Sequence, residues 1–311
     1  MNKKIPGPIA IFGVGGLIGF NLFRDLITSR TDVYGLSHDP ANNWRLKTLK
    51  KNGSQIIKCN ILNIKEIENF IVRYRPQTIF NLAAYGAYSN QTDPKQIYKT
   101  NFDATFHIIE TLKKNRFSIY IHAGSQSEYG LNCDRPDEES KLIPNSHYAV
   151  SKVASYYLLK YYACVEKLPL IHVRFYSVYG QFEEPTRLIP TLLRSIQNNT
   201  LPNLVDPNIS RDFVYIDDVV KALQIIASNS NKANYGQAYN IASGRKTTIK
   251  KLVTLAIKIF KVQKEPIFST MKNRSWDLIN WVGDTKKMKD AYGWSATTAL
   301  ETGLRQTYKL L

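Results

Sequence analysis

The sequence predicts an α/β fold, with a doubly wound parallel sheet followed by a smaller C-terminal lobe. Between residues 8 and 176, short apolar stretches alternate four or five times with helical patterns, which is typical of parallel strands connected by helices. After residue 176, helices and short strands are mixed without that alternation. We therefore expect one domain at residues 1–176 and a mainly substrate-binding lobe at 177–311, with some of its elements returning to the first sheet.

Composition and charge limit the kinds of ligand that we expect the protein to bind. The chain has 311 residues, of which 43% are hydrophobic, enough for a substantial core. The net charge is +17, but lysines and arginines are scattered, without an Arg-rich tail or zinc-ligand spacing. We expect a solvated basic surface with a bias towards anionic small molecules, and no nucleic-acid partner or metal.

The cysteines and the hydropathy pattern indicate the cellular compartment of the protein. Cys59, Cys133 and Cys164 are odd in number and far apart, which suits a reducing compartment. Glycines interrupt the apolar N-terminal stretch, and no apolar run reaches the ~18 residues that span a bilayer. We therefore expect a cytoplasmic protein without a membrane partner.

A glycine-rich turn opens the chain. Residues 8–12 (PIAIF) predict a buried strand, GVGGLIG follows, and a helical pattern begins at Phe20. In this context the spacing of Gly13, Gly16 and Gly19 indicates a dinucleotide site, because glycines let the backbone approach a pyrophosphate at the helix N-terminus. A glycine turn without a ligand is the alternative.

The end of the second predicted strand bears on the cofactor. Residues 32–37 end at Ser37 and His38, where an acidic residue would bind the adenosine ribose of NAD. Asp39 comes one position late. A serine with a basic neighbour leaves room for a 2′-phosphate, which favours NADP, although no arginine follows directly and NAD stays open.

Polar and small residues follow the third and fourth predicted strands. Asn60, with Asn63 after it, either contacts adenine or caps a helix starting at Ile64. Residues 78–82 run into Ala83 and Ala84, which are small enough to pack beside a flat cofactor. A polar loop starting at Tyr85 follows, and we expect substrate to enter there.

The fifth strand and the next helix carry the acid/base candidates. The strand within residues 117–125 ends at Ser125, at the sheet edge where open α/β folds bind ligands. Residues 147–162 predict a helix on which Tyr148 and Lys152 lie one turn apart. An ammonium near a phenol favours the phenolate, so Tyr148 can exchange a proton with an alcohol or carbonyl.

Motifs along nearly the whole chain resemble the extended short-chain dehydrogenase/reductase family, in its nucleotide-sugar epimerase/dehydratase branch. The motifs are, in order, GVGGLIG, the set Ser125–Tyr148–Lys152, VRFYSVYG, RDFVYIDDVV and WVGDTKKMKDAYGW. The resemblance implies a Rossmann fold, hydride transfer at a sugar carbon, usually C4, and NADP or NAD, tightly bound in an epimerase. It implies a nucleotide-diphosphate sugar as substrate and a role in polysaccharide biosynthesis.

The resemblance also implies which residues form the site. In it, Tyr148 is the acid/base, Lys152 lowers its pKa and holds the nicotinamide ribose, and Ser125 hydrogen-bonds the reacting oxygen. The expected cofactor-binding residues are Gly13, Gly16, Leu17, Ile18, Gly19, Ser37, His38, Asn60, Ile61, Leu82, Ala83, Ala84, Tyr148 and Lys152. The expected substrate-binding residues are Tyr85, Ser125, Gln126, Ser177, Arg187, Arg211 and Arg274.

Two departures from the family pattern select among reactions. Gln126 and Ser127 occupy the positions where 4,6-dehydratases carry acidic residues, and Glu128 lies one position too far. Ser177 replaces the asparagine of the VYG motif. An epimerase and a 4-keto-sugar reductase are therefore favoured equally, a dehydratase is third, and a non-catalytic NAD(P)-binding regulator is the alternative from another class.

The family commonly dimerises through two helices per subunit. Here the helices would lie near residues 95–114 and 147–166. The second is crowded with Tyr156, Tyr157, Leu159, Tyr161 and Tyr162, more large apolar side chains than one buried face needs. We expect a homodimer through these helices.

Overall fold

The computed structural model describes residues 4–49, 55–271 and 279–311. The chain divides into two compact units. Unit 1 comprises Met1–Gly130, Leu142–Arg174 and Val220–Tyr239, and unit 2 comprises Leu131–Lys141, Phe175–Val219 and Asn240–Leu311. The predicted boundary at residue 176 stays a prediction.

A seven-stranded sheet confirms the predicted fold class. Numbered along the chain, its strands are β1 (Ile9–Phe12), β2 (Val33–Ser37), β3 (Ile56–Lys58), β4 (Thr78–Asn81), β5 (Ile119–Ser125), β6 (Leu170–Phe175) and β10 (Ala238–Ile241). Their order is β10-β6-β5-β4-β1-β2-β3. β1 pairs in parallel with β2 and β4, β2 with β3, and β4 with β5. The carboxyl ends of these strands therefore meet at one edge.

The central strands β1 and β4 are fully buried because both faces of the sheet are covered there. Every residue of β1 and β4 is buried, as expected where helices pack on both sides of a parallel sheet. The core includes Phe12, Ile79, Ile108 and Leu159.

In the described part of unit 1, helices α1 to α5 connect these strands. They are α1 (Leu17–Leu26), α2 (Ile64–Tyr74), α3 (Pro94–Tyr98), α4 (Ala104–Lys113) and α5 (His147–Cys164). The predicted capping of α2 is confirmed for Asn63, whose side chain accepts from the Lys65 N–H. The single helix expected over residues 94–115 is interrupted by a π-helical turn at Lys99–Asp103.

Unit 2 contains two small sheets and further helices. β7 (Ser177–Tyr179) pairs in parallel with β9 (Phe213–Tyr215), and β8 (Ser210–Arg211) pairs with β11 (Thr247–Thr248) in antiparallel orientation. The helices are α6 (Leu188–Gln197), α7 (Ile216–Asn229, which continues into unit 1), α8 (Ile249–Phe260), α9 (Lys286–Tyr292) and α10 (Leu300–Tyr308).

One predicted strand is wrong in its length. The apolar pattern of residues 168–181 predicts one strand, but β6 ends at Phe175. The Ser177 N–H donates instead to the Asp212 carbonyl, so the chain pairs with a different sheet from this point. None of the helices in the described part of the chain is long and apolar enough to cross a bilayer.

Candidate functional site

The glycine turn between β1 and α1 excludes side chains at two positions. Gly13 has φ +81°, and a Cβ on it would lie 2.6 Å from the backbone nitrogen of Ala83. A Cβ on Gly19 would lie 2.4 Å from the Gly13 carbonyl oxygen. The turn therefore contacts the chain just after β4 through backbone atoms, which glycine alone permits here.

The start of α1 suits an anion. Gly16 is its N-cap residue and supplies no side-chain hydrogen bond, and the first turn contains no acidic residue. The first N–H groups of a helix have no intrahelical partner, and the helix dipole adds positive potential there. The turn therefore fits a dinucleotide diphosphate, which the backbone of Gly16, Leu17 and Ile18 would hold.

The loop after β2 adds a positive charge to this turn. The Arg45 guanidinium donates to the Gly15 carbonyl over 3.1 Å and lies 4.3 Å from the centroid of the Trp44 ring. Asn43 donates to the same carbonyl over 3.2 Å. Arg45 is only 4% exposed, so its charge acts beside the glycine turn. The sequence analysis missed it because it looked for an arginine directly after His38.

Asp39, the acidic residue that follows β2, forms its hydrogen bonds within its own turn. Ser37 is buried and His38 is exposed. The Asp39 carboxylate accepts hydrogen bonds from the side chain of Asn42, the nearer over 3.0 Å, and this hydrogen bond lowers the pKa of Asp39. The carboxylate thus stabilises its own turn.

The residues expected to contact the cofactor after β3 and β4 follow the carboxyl ends of these strands, as predicted. Their contacts within the protein do not test their binding to a cofactor. The Asn60 side chain accepts from the Leu62 N–H over 3.0 Å, so it orders the turn before α2. Ile61, Leu82 and Ala83 are partly buried and Ala84 is exposed. The cofactor contacts expected of these residues stay predictions.

Lys152 is the buried cation beneath the predicted catalytic set. It is 1% exposed, and its Nζ donates to the Ala123 carbonyl over 2.8 Å. The same Nζ lies 5.7 Å from the centroid of the Tyr148 ring. Ala123 is two residues before Ser125 on β5, so one hydrogen bond ties the Tyr148 helix to the Ser125 strand. Burial lowers the pKa of Lys152 to about 8, while the Glu128 charge opposes that decrease.

The loop that begins at Tyr85 is fastened beside Tyr148. A Cβ on Gly86 would lie 3.2 Å from Tyr148 Cδ2. Buried Asn101 accepts from the Tyr85 N–H and donates to the Tyr85 carbonyl, both over 2.9 Å, and also donates to Ser151 Oγ over 2.9 Å. Asn101 thus links this loop to α5. The sequence analysis gave it no role; the signal was a polar residue inside a helix, at the π-helical turn.

Ser125 ends β5 and caps a single helical turn, Gln126–Glu128. Its Oγ accepts from the Ser127 N–H and donates to Ser127 Oγ, both over 3.2 Å. Gln126 is partly buried beside it. Ser125, Tyr148, Lys152 and Tyr85 are therefore all carried by connected elements of unit 1.

Glu128 is buried inside unit 1. Its carboxylate accepts from the Ser125 N–H over 2.8 Å, from His172 Nε2 over 2.9 Å and from Arg174 Nε over 2.7 Å. Burial alone raises the pKa of Glu128, but its basic neighbours His172 and Arg174 lower it to about 2. The sequence analysis considered Glu128 only as a dehydratase acid and missed this network, which joins β5 to β6.

The other predicted substrate contacts belong to unit 2, except Arg274, which lies outside the described residues. Ser177 starts β7. Arg187 is the N-cap residue of α6, and its Nε lies 3.9 Å from the Glu183 carboxylate. Arg211 lies on β8 and donates to the Ser210 carbonyl over 2.9 Å. Their substrate roles stay predictions.

Buried Asp212 organises the chain around Arg211, a feature that the sequence analysis did not single out. Its carboxylate accepts from the backbone N–H groups of Ser243, Gly244 and Gly283, over 2.8 Å, 3.0 Å and 3.2 Å. Burial outweighs these hydrogen bonds and raises the pKa of Asp212. Within residues 4–49, 55–271 and 279–311, no cluster of His, Cys, Asp or Glu has the arrangement of a metal site.

Comparison with known proteins decides the family. The family model described as "NAD dependent epimerase/dehydratase family" matches residues 9–242. The chain belongs to this family. The match includes the glycine turn, Ser125, Tyr148 and Lys152, and it confirms the resemblance found in the motifs.

Curated members of the family share about a quarter of their residues with this chain. A UDP-glucose 4-epimerase of Mycolicibacterium smegmatis is 25% identical, with 96% of each chain covered. Protein CapI of Staphylococcus aureus is 28% identical, covering 73% of this chain and 71% of CapI. A trifunctional UDP-glucose 4,6-dehydratase/UDP-4-keto-6-deoxy-D-glucose 3,5-epimerase/UDP-4-keto-L-rhamnose-reductase of Arabidopsis thaliana is 25% identical over 99% of this chain. The chain spans 47% of the length of that enzyme.

Solved structures of the family superimpose along nearly the whole chain. A UDP-glucose 4-epimerase of Thermotoga maritima, crystallised with UDP-glucose, gives a TM-score of 0.87 at 25% identity and covers 97% of both chains. A UDP-glucuronic acid 4-epimerase of Bacillus cereus, crystallised with UDP-glucuronic acid and NAD, gives a TM-score of 0.86 at 23% identity, covering 97% of this chain and 98% of the other. Because the Bacillus cereus enzyme is only 23% identical to this chain, its similarity supports the fold alone.

The glycine turn yields a prediction about stability. Gly19→Ala should destabilise the protein by about 1–3 kcal/mol, because its Cβ would meet the Gly13 carbonyl, a backbone atom that cannot swing away. Urea unfolding measures the change. Gly16→Ala is the matched control, since its Cβ would meet only the Gly13 oxygen, at 3.4 Å. Equal stability of the two variants would contradict the close approach.

Proposed function

We propose that this chain is an NAD(P)-dependent enzyme that transfers hydride at C4 of a nucleotide-diphosphate sugar, with Tyr148 as acid/base. The observation that carries the proposal is the buried Lys152 ammonium, which lies beside the Tyr148 ring and is hydrogen-bonded to the strand that ends at Ser125. A positive charge next to a phenol favours the phenolate. Two reactions fit this arrangement, 4-epimerisation and reduction of a 4-keto sugar.

Three residues of unit 1 act on the oxygen attached to C4 of the sugar. Tyr148 takes the hydroxyl proton when C4 is oxidised and returns a proton when the ketone is reduced. Ser125 hydrogen-bonds the same oxygen through Oγ, and Lys152 keeps the phenol acidic. A nicotinamide cofactor, held by its diphosphate at the glycine turn, would supply or accept the hydride. An epimerase returns the hydride to the opposite face of the ketone, whereas a reductase ends with the alcohol.

The position of Glu128 argues against a 4,6-dehydratase. Elimination of water needs an acid and a base at C5 and C6, and the two positions after Ser125 are Gln126 and Ser127. The next carboxylate, Glu128, is fully buried and accepts three hydrogen bonds from protein groups. It is therefore poorly placed to protonate a leaving hydroxyl.

The substrate class rests on the relatives and on cationic residues. The Thermotoga maritima relative is described with UDP-glucose, and we extend a nucleotide-diphosphate sugar to this chain. Arg211 and Arg187 are the arginines that we assign to the diphosphate, because a guanidinium offers a fixed fork of donors to phosphate oxygens. Tyr85, Gln126 and Ser177 are the assigned sugar contacts, and Arg274 is a further candidate for an anion contact.

A second candidate, the 4-keto reductase, is favoured by the surroundings of the glycine turn. Ser37 and His38 provide no carboxylate at the end of β2, Asp39 is engaged by Asn42, and Arg45 brings a buried charge to Gly15. These features favour the 2′-phosphate of NADP. A reductase that consumes NADPH must release NADP, whereas an epimerase keeps NAD tightly bound.

The Tyr148→Phe variant tests the catalytic assignment. Turnover of a UDP-hexose should fall by ~10²–10⁴-fold, the usual effect of losing an acid/base group, while the protein still binds NAD(P). Coupled assays and chromatography of the sugar product measure turnover. Tyr161→Phe, altered at a half-exposed position of the same helix, should behave as the wild type. Unchanged biological function in Tyr148→Phe would favour the non-catalytic regulator.

Cofactor identity separates the epimerase from the reductase. The purified protein is denatured and any released dinucleotide is identified by mass spectrometry; calorimetry then compares NADPH with NADH. For the reductase we expect no retained cofactor and a preference for NADPH that falls about 10-fold or more in Arg45→Gln, because a phosphate loses a charged donor. Lys47→Gln, which removes a positive charge at an exposed position two residues later, is the matched control. Retained NAD would support the epimerase and contradict the NADP preference.

The proposed homodimer uses the exposed side of α5. Tyr156, Leu159 and Tyr162 are buried within the chain, while Tyr157, Tyr161 and Val165 are exposed by 56%, 52% and 62%. These three side chains form an apolar strip that a second subunit would cover.

Sedimentation velocity tests the homodimer. Tyr157→Glu should shift the wild-type dimer to monomer, because a charge would be buried in the interface. Val72→Glu, altered at a similarly exposed position on α2 (57% exposed), should leave the dimer intact. A wild-type protein that sediments as a monomer at micromolar concentrations would exclude the dimer.

A further inference from the structure

The reciprocal capping at Ser125 is unusual in its burial. Ser125 caps the turn Gln126–Glu128, and Glu128 hydrogen-bonds back to the Ser125 N–H over 2.8 Å. Pairs of this kind are common at exposed helix starts, where they stabilise a helix modestly. Here the Glu128 carboxylate is 0% exposed, so a charged group was taken out of water directly behind the proposed catalytic serine.

β6 also holds this carboxylate. The oxygen that accepts from the Ser125 N–H, Oε1, also accepts from His172 Nε2 over 2.9 Å, and the other oxygen, Oε2, accepts from Arg174 Nε over 2.7 Å. Burial lowers the pKa of His172, so its imidazole is neutral near pH 7. The proton on its ring must be on Nε2, because a carboxylate can only accept.

Arg174 is itself enclosed. It donates to the Tyr129 hydroxyl over 2.9 Å, and its guanidinium carbon lies 4.7 Å from the centroids of both the Tyr129 and the Tyr156 rings. Tyr156 lies one helical turn after Lys152 on α5. The Glu128 carboxylate therefore joins the Ser125 end of β5 to β6, and through Arg174 it reaches the helix that carries Tyr148.

Gly124 shows how closely the carboxylate is fitted under Ser125. A Cβ at this position would lie 2.1 Å from His172 Nε2 and 2.4 Å from Glu128 Oε1. Only a glycine here lets the Glu128–His172 pair reach the strand end.

Glu128 supplies the negative charge of this network, which offsets part of the positive charge of its buried cations. Lys152 and Arg174 are buried cations, and His122 and His172 are buried imidazoles whose pKa burial lowers. Tyr120, Tyr129, Tyr148 and Tyr156 are further titratable groups beside them. The Glu128 charge favours the Lys152 ammonium. Without the carboxylate, two cations would share a low-dielectric interior with no nearby anion from this network, and Lys152 would lose its proton more readily.

We propose that Glu128 is a positioning residue of the active site: its buried carboxylate fixes the backbone of Ser125 and supplies a negative charge behind the Lys152 ammonium that lies beside Tyr148. This inference rests on the proposed function, because it assumes that Ser125 and Tyr148 act on the substrate. It assigns Glu128 to support of the reaction centre rather than to proton transfer with the sugar.

Two variants separate the two parts of the inference. Glu128→Gln keeps the shape but removes the charge, and Glu128→Asp keeps the charge but shortens the reach. We expect kcat to fall ~10–100-fold in both, as small displacements of catalytic groups do, with KM changing less. Glu138→Gln, altered at another buried glutamate that accepts from a backbone N–H (Asn240, 2.7 Å), is the control for general destabilisation.

The pH dependence of kcat is a measurement that would not change if Glu128 had only a structural role. Lys152 carries its charge below its pKa of about 8 and loses it above, so wild-type kcat should fall at alkaline pH. In Glu128→Gln this fall should begin at lower pH, while Glu128→Asp and Glu138→Gln should keep the wild-type profile. A wild-type profile and kcat in Glu128→Gln, or a lower kcat explained wholly by unfolding, would overturn the inference.

A measurement without substrate separates failure of this inference from failure of the proposed function. In full-length protein labelled at lysine Cε with ¹³C, the Lys152 resonance is identified by its absence in Lys152→Gln, and its pKa is read from a pH titration. The pKa of Lys152 should be lower in Glu128→Gln than in the wild type and unchanged in Glu138→Gln. If Glu128→Gln does not fold, Glu128→Asp decides: wild-type kcat in that variant would overturn the positioning of Ser125, and a lowered Lys152 pKa would overturn the role of the charge.

Discussion

The hydrogen bond from Lys152 Nζ to the Ala123 carbonyl connects the parts on which the proposed chemistry depends. It joins α5 to β5 at the sheet edge where parallel strands end. Because the ammonium is buried, it has few solvent partners to compete with Tyr148 and the cofactor. Burial also carries a desolvation cost for the charged ammonium. The negative charge of the Glu128 carboxylate offsets part of that cost.

This compensation also links the site to the stability of unit 1. The pKa of Glu128 is lowered from its ordinary value to about 2, so its contribution to folding is fully present above its ordinary pKa and is lost as the pH falls towards 2. Removing Glu128 alone would leave Arg174 buried without this carboxylate, which is more damaging than replacing the whole network by apolar residues. The proposed catalytic residues are therefore supported by groups that the protein also needs to stay folded.

Unit 2 contains a comparable arrangement around Asp212. A buried carboxylate gathers the backbone of Ser243, Gly244 and Gly283 next to Arg211. In both units a buried acid hydrogen-bonds the backbone beside a residue assigned to substrate or reaction. The carboxylate orders loops that have little apolar area of their own, because backbone N–H groups hidden from water require acceptors.

The sequence by itself determined the doubly wound sheet, the glycine turn, the order of strands and helices along the chain, and the positions of Ser125, Tyr148 and Lys152. These features are local: apolar periodicity, glycine spacing and a separation of four residues on one helix encode them directly. The tertiary structure alone decided that residues 177–179 leave the main sheet, that Arg45 lies at Gly15, that Asn101 holds Tyr85, and that Glu128 faces inward to His172 and Arg174. Those contacts join residues distant in sequence, so burial and charge compensation, which depend on the packed chain, select them.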